Sequence, residues 1–317
     1  MSSKIEIGRG TFGIVFLETD FHPVTASKYI LKSSDPKIEQ TFQREWEALK
    51  LLSHPNIVQV YELSEEDFCG KPYHVIKMEF CVRGSLRQVI NNRKIIYSMK
   101  TFSCWAEHLL AGLVCLENHG IIHRDLKPEN VLVTRDWILK IGDFGCVRRE
   151  NDTKELSKDG TLRYMSPECA GFGMATGKRK VTCKSDLYAS GLIMWEILER
   201  RKVFTELSEY TVLQNLMRGI NKLECLDAPF EVVDLISRCT RIEHNQRPKV
   251  NDVHKVMVGI RRAYSNIEFE PIIEIDNDTL VKPIAFEQFN VKQSTSTIGI
   301  IDDSSTNITL KNNLQTY

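Results

Sequence analysis

Apolar residues are spaced in two different ways along this chain. Ile5 and Ile7 lead into a cluster of glycines, and Ile14, Val15 and Phe16 lead out of it. This is the pattern of two strands joined by a tight hairpin. Tyr29-Ile30-Leu31-Lys32 predicts the next strand. From 37 to 52 the period changes, and Ile38, Phe42, Leu49 and Leu52 recur at helical spacing. From 100 to 119, Phe102, Trp105, Ala106, Leu109, Leu110 and Leu113 form one stripe, which reads as a buried helix rather than a cofactor box. Ala189 to Leu198 reads as a second buried helix. The expectation is an α+β chain, strand-rich to about residue 77 and helical beyond it.

Composition narrows the class. The 317 residues suffice for two lobes and a large core. The 42 basic and 42 acidic residues cancel, which speaks against a nucleic-acid or membrane surface. Nine cysteines show no paired spacing and no signal peptide precedes them, so reduced thiols in the cytoplasm, or the nucleus, are expected. No apolar run approaches the roughly 18 residues of a membrane span. Ser2 follows the initiator Met where N-myristoylation needs glycine. From Asn266 to Tyr317, eight acidic against three basic residues give a net charge of −5. Residues 264–317 are therefore expected to be a mostly disordered acidic tail, although the apolar run Pro271 to Ile275 could dock on the body or on a partner.

Candidate chemistry sits in the middle of the chain. Residues 123–130 read His-Arg-Asp-Leu-Lys-Pro-Glu-Asn, and Asp143-Phe144-Gly145 begins thirteen residues after Asn130. Asp125 can accept a proton from a hydroxyl substrate, and Asn130 and Asp143 can hold magnesium against ATP phosphates. Gly8-Arg9-Gly10-Thr11-Phe12-Gly13-Ile14-Val15 supplies Gly8, Gly10 and Gly13 for a flap whose backbone approaches phosphates. A dinucleotide-binding loop uses the same glycine spacing but opens a helix, whereas strands flank this one.

These motifs together resemble a eukaryotic protein kinase catalytic domain, covering residues 1–263. The resemblance implies a bilobal fold, with a strand-rich N-lobe over about 1–77 and a helical C-lobe over about 82–263. It implies ATP and Mg2+ as cofactors. The domain would start almost at Met1, with no amino-terminal regulatory domain.

Residue by residue, the resemblance makes Lys32 the strand lysine that reaches the α- and β-phosphates. Lys28 is set aside because it follows the glycine loop too soon for a normal hairpin. Ile30 would then stand where kinases place a small residue over the adenine, lowering the roof of the pocket. Glu45 would pair with Lys32; Glu47 projects about 200° around the helix and cannot share that face. Val15 and Leu132 would enclose the nucleobase, Met78 would be the gatekeeper, and the backbone of Glu79 and Cys81 would meet the adenine edge. Ser166-Pro167-Glu168 resembles the A-P-E element, with Glu168 paired to Arg247, and Asp186 would anchor the catalytic loop.

Lys127, two residues after Asp125, is the serine/threonine pattern, with Thr161 bonding both. Arg124 would grip a phosphorylated activation segment, for which Thr153 and Ser157 are the candidate sites. Met78-Glu79-Phe80, Lys140 to Cys146 and Ile236 to Cys239 resemble the Mos kinases. Trp195-Glu196-Ile197 with Arg200-Arg201-Lys202 resembles the mixed-lineage and TGF-β-activated kinases. Both groups are MAP kinase kinase kinases, which would make a MAP kinase kinase the protein substrate. The alternatives are a pseudokinase scaffold, a small-molecule kinase of similar fold, and a serine/threonine kinase outside the MAP kinase cascade.

Overall fold

The computed structural model describes residues 4–10, 13–20, 23–149, 162–172, 181–221, 223, 224, 226, 228–265, 272–274 and 283. The alternating N-terminal pattern folds as an antiparallel sheet. Its strands are β1 (Lys4–Gly10), β2 (Gly13–Glu18), β3 (Thr25–Leu31), β4 (Val60–Phe68) and β5 (Lys71–Glu79), in the order β1-β2-β3-β5-β4. Helix α1 (Pro36–Leu51) lies between β3 and β4 in the chain. Its first residue is proline, whose missing N–H costs nothing there.

Side chains alternate across β3, and that alternation builds two cores. On one face Tyr29 meets Phe16 and Tyr73 edge-on and Phe68 at a tilt. On the other, Ile30 packs with Phe42 of α1 in a cluster that continues into the C-lobe. Burying an aromatic such as Phe42 contributes about 1.5–3 kcal/mol. The imidazole of His74 on β5 lies flat against Phe42, with ring centroids 3.9 Å apart.

Beyond the sheet come α2 (Leu86–Asn91), β6 (Ile95–Tyr97), α3 (Met99–Asn118), β7 (Ile121–Ile122), β8 (Val131–Val133), β9 (Leu139–Ile141) and β10 (Arg148–Arg149). They are followed by α4 (Pro167–Ala170), α5 (Cys183–Glu199), α6 (Glu209–Met217), α7 (Phe230–Cys239) and α8 (Val250–Tyr264). The two helices foreseen from their apolar stripes are α3 and α5, and both are buried centrally. Ser98 accepts a hydrogen bond from the Thr101 N–H and so caps α3, while Thr182 and Ser185 form a capping box on α5.

Arg200 ends α5 in the left-handed region at φ 53°. Its guanidinium compensates by donating to the carbonyls of Ile90, Asn92 and Ile95. Of the run 271–275, residues Ile272–Glu274 form β11, which pairs antiparallel with β6. No helix among the described residues is long and apolar enough to cross a membrane.

Candidate active site

The two short antiparallel pairs of the C-lobe present the site. The loop from β7 to β8 carries Asp125 and Asn130, and the turn after β9 carries Asp143. Asp186 holds the first loop from beneath, accepting the backbone N–H groups of His123 at 2.7 Å and Arg124 at 2.9 Å. Those bonds fix Arg124 at φ 69°, a conformation a non-glycine residue keeps only when its surroundings impose it. His123 then bonds the Gly142 carbonyl at 2.9 Å and packs its ring edge-on against Phe144, joining this loop to the Asp143 turn.

Asp125 is nearly buried and doubly held. Lys127 Nζ lies 2.7 Å from its Oδ2, and Asn130 Nδ2 donates to the same oxygen at 2.9 Å. Because Asn130 spends its amide nitrogen on Asp125, its carbonyl oxygen is the end that could ligate a cation. Asp143 sits at φ 57°. An aspartate and an asparagine offer hard oxygen donors, which suit Mg2+ completed by phosphate and water oxygens. Among the described residues no cluster of three or more His, Cys, Asp or Glu could hold a metal on its own.

The structure corrects the lysine. Lys28, not Lys32, donates to Glu45 at 2.6 Å and to Asp143 at 3.1 Å. Lys32 lies past the end of β3 and pairs instead with the exposed Glu65 at 2.5 Å. The reason is register. The β2–β3 connection is short, so Lys28 already stands opposite Val15. Four further residues would carry a lysine about 13 Å along the strand. Burial alone would push Lys28 down, but the facing Glu45 and Asp143 carboxylates hold it above the ordinary lysine range. Asp143 is likewise held below its ordinary value: burial opposes this, and the Lys28 charge prevails.

The position two before the lysine shifts with it, and Ala26, directly across from Met78, stands in the place expected of Ile30. Ile30 is buried in the core beneath α1. The Thr25-Ala26-Ser27-Lys28 run, with its small residue two before the lysine, is the signal that could have found this register. Glu45 is buried and Glu47 exposed, as the helix geometry required.

Gly13 at φ 142° is indispensable to the glycine hairpin, since a Cβ there would meet the Tyr29 carbonyl oxygen at 2.3 Å. A Cβ at Gly8 or Gly10 would meet nothing within 4 Å, which leaves their backbone open to close approach. Leu132 lies under the cleft beside Gly142. The Glu79 N–H is taken by the Gln59 carbonyl at 2.9 Å, so its own carbonyl is what could meet a base edge. Cys81 is buried, which pushes its thiol up to about 12 and leaves backbone as its useful group.

Around the site, Arg247 grips Glu168 with two 2.8 Å bonds, and Ser185 adds a third. Thr153, Ser157 and Thr161 lie outside the described residues. Arg87 of α2 escaped the sequence reading. It joins Glu129 at 2.9 Å, Glu196 at 2.6 Å and the Tyr164 hydroxyl at 2.5 Å. Those partners are 42 to 109 residues away in the chain, and no local pattern reports them.

A family model described as protein kinase domain matches residues 1–257. The chain is 29% identical over 266 residues to the tyrosine-protein kinase transforming protein Fps of avian sarcoma virus (strain PRCII), covering 81% of this chain and 48% of that protein. It is 32% identical over 281 residues to the serine/threonine-protein kinase WNK of Caenorhabditis elegans, covering 82% and 15%. It is 28% identical over 255 residues to the mitogen-activated protein kinase kinase kinase dlk-1 of Caenorhabditis briggsae, covering 78% and 27%. The chain thus spans less than half the length of each of these relatives.

Proposed function

Because the chain belongs to the protein kinase domain family, we propose that it transfers the γ-phosphate of ATP to serine or threonine hydroxyls of proteins, acting as a MAP kinase kinase kinase. In this reading Asp125 accepts the hydroxyl proton as the substrate oxygen bonds the γ-phosphorus. The bond from that phosphorus to the bridging oxygen breaks, and ADP leaves. Lys28, oriented by Glu45, holds the α- and β-phosphates. Lys127 brings positive charge beside the transferring group. Asn130 and Asp143 would hold Mg2+, which neutralises phosphate charge when bound. The glycine hairpin covers the phosphates with backbone N–H groups. Ala26, Met78, Val15 and Leu132 enclose the base.

The observation that carries the serine/threonine assignment is Lys127, whose ammonium stands 2.7 Å from Asp125 Oδ2. Relatives named as tyrosine kinases make this the point to test. The MAP kinase tier rests on the similarity to dlk-1 and on the Mos-like and mixed-lineage-like stretches named above. The test is transfer of labelled γ-phosphate by purified protein to a panel of inactive MAP kinase kinases, followed by phosphoamino-acid analysis. Phosphoserine or phosphothreonine on a MAP kinase kinase, absent with Asp125→Asn, is the expected result. Phosphotyrosine alone would overturn the specificity, and transfer only to other proteins would overturn the tier.

A further inference from the structure

Helix α1 carries Glu45, so whatever holds α1 to the sheet also holds the Lys28–Glu45 pair. A second attachment lies away from the cleft. His74, on β5, is buried at 7% exposure between two carboxylates from different elements. Its Nε2 lies 3.1 Å from Glu39 Oε1, in the first turn of α1, and its Nδ1 lies 3.6 Å from Glu65 Oε1 on β4. Lys32 caps the far side of Glu65. The same imidazole is stacked at an interplanar angle of 4° on Phe42, one turn beyond Glu39.

Glu39, Phe42 and Glu45 thus follow one another along a face that covers about 120° of the helix. His74 takes the first two, and Lys28 takes the third. In the sheet, His74 stands across from Ile30, two residues from Lys28. The two attachments therefore fix both the height and the rotation of α1 over β3 and β5.

We propose that His74 is a positioning residue for the nucleotide site, acting through α1 to seat Glu45 against Lys28. It touches neither nucleotide nor peptide. It sets the population of α1 conformers in which Lys28 is aligned, and a nucleotide that needs aligned Lys28 reports that population as affinity. The inference rests on the kinase reading above for its meaning, but its measurement does not need phosphotransfer.

The experiment reads equilibrium binding of a non-hydrolysable ATP analogue with Mg2+ to the full chain, beside amide hydrogen exchange across α1. Peptide KM is read where transfer is measurable. His74→Ala should weaken the nucleotide about five- to tenfold, at the low end of ordinary coupling between sites. It should speed exchange in α1 while leaving peptide KM unchanged. His74→Phe keeps the ring on Phe42 and His74→Gln keeps a donor toward Glu39, so each should recover part of the loss. If His74→Ala does not fold, Glu39→Gln, altered at its half-exposed end, serves in its place, and the His74→Phe effect, which removes the contact with Glu39 but keeps the ring, should shrink in the Glu39→Gln background.

Wild-type nucleotide affinity in folded His74→Ala or Glu39→Gln overturns the proposal. So does a loss that falls equally on peptide KM, which marks general destabilisation. A wild-type protein that binds the analogue but transfers no phosphate sinks the kinase reading alone, because the binding and exchange arms still decide the role of His74.

Discussion

Exchanging Lys28 for methionine separates the two candidate lysines by energy as well as by activity. The substitution keeps the aliphatic length and removes the ammonium. Glu45, 2% exposed, then loses the cation 2.6 Å away and is left facing Asp143. Breaking a buried pair by removing one partner costs about 3–5 kcal/mol. In a domain of this size each kcal/mol moves Tm by about 2–4 °C, so Lys28→Met should melt roughly 10 °C below wild type. Lys32→Ala removes a cation whose partner Glu65 is 64% exposed, a contact of the class worth about 0–1 kcal/mol.

The pH dependence supplies a second sign. Burial raises Glu45 above the ordinary carboxylate range, so in the variant its ionised form is the unfavourable one. A raised folded-state pKa gives stability that is complete at low pH and is lost as pH rises through it. The gap between Lys28→Met and wild type should therefore narrow as pH falls from 8 toward 5. Calorimetry on the three proteins, with nucleotide binding on each, makes the measurement. Equal Tm loss from Lys32→Ala, or undiminished nucleotide affinity in Lys28→Met, would refute the assignment.

Other consequences follow from the same geometry. Asp125→Asn should lower phosphotransfer by about 10²–10⁴ while a nucleotide titration stays unchanged; full transfer would remove Asp125 as the base. Ile30→Ala should cost about 2–5 kcal/mol in chemical denaturation and should not tighten nucleotide binding, because Ile30 fills the core beneath α1 rather than the adenine slot. Ala26→Leu should block nucleotide with little loss of stability, and the reverse pattern would restore the register expected from sequence. Arg247→Ala leaves buried Glu168 unpaired and should cost about 3–5 kcal/mol at pH 7. Burial opposes the downward shift of Glu168, but Arg247 prevails, so its contribution is present above the ordinary value of 4.5 and lost on acidification below it. The wild-type advantage over Arg247→Ala should accordingly shrink in an acid titration.

The motifs that were legible share one property: their residues are close in sequence and their spacing is set by one element. The glycine hairpin, the loop from His123 to Asn130 and the Asp143 turn are of this kind, as are α3 and α5 with their apolar stripes. Glu45 was legible through the family resemblance, and helix rotation then excluded Glu47 from the same face. Lys28 was missed because strand periodicity is two, so a spacing of four gives Lys28 and Lys32 the same expected face and only the length of the preceding connection separates them. Ile30 followed that error into the adenine pocket. His74 and Arg87 were illegible for another reason, since their partners come from other elements and each looks locally like an ordinary surface residue. Thr153, Ser157 and Thr161, named for regulation and substrate contact, lie beyond what the structure describes.

Strand β11 has a consequence for anyone who shortens this protein. β6 is only three residues long, and Ile95, Ile96 and Tyr97 are all buried. It belongs to no larger sheet among the described residues, and β11 is its pairing partner. A chain cut after Tyr264, where the last helix ends, would bare the edge of β6 beyond Ile95, whose carbonyl and N–H stay with Arg200 and Asn92. Such edges recruit strands from other molecules. A fragment trimmed to the family match would be the more adhesive molecule, and its self-association at high concentration could be mistaken for a native dimer. Extending the boundary past Glu274 keeps that edge occupied from within.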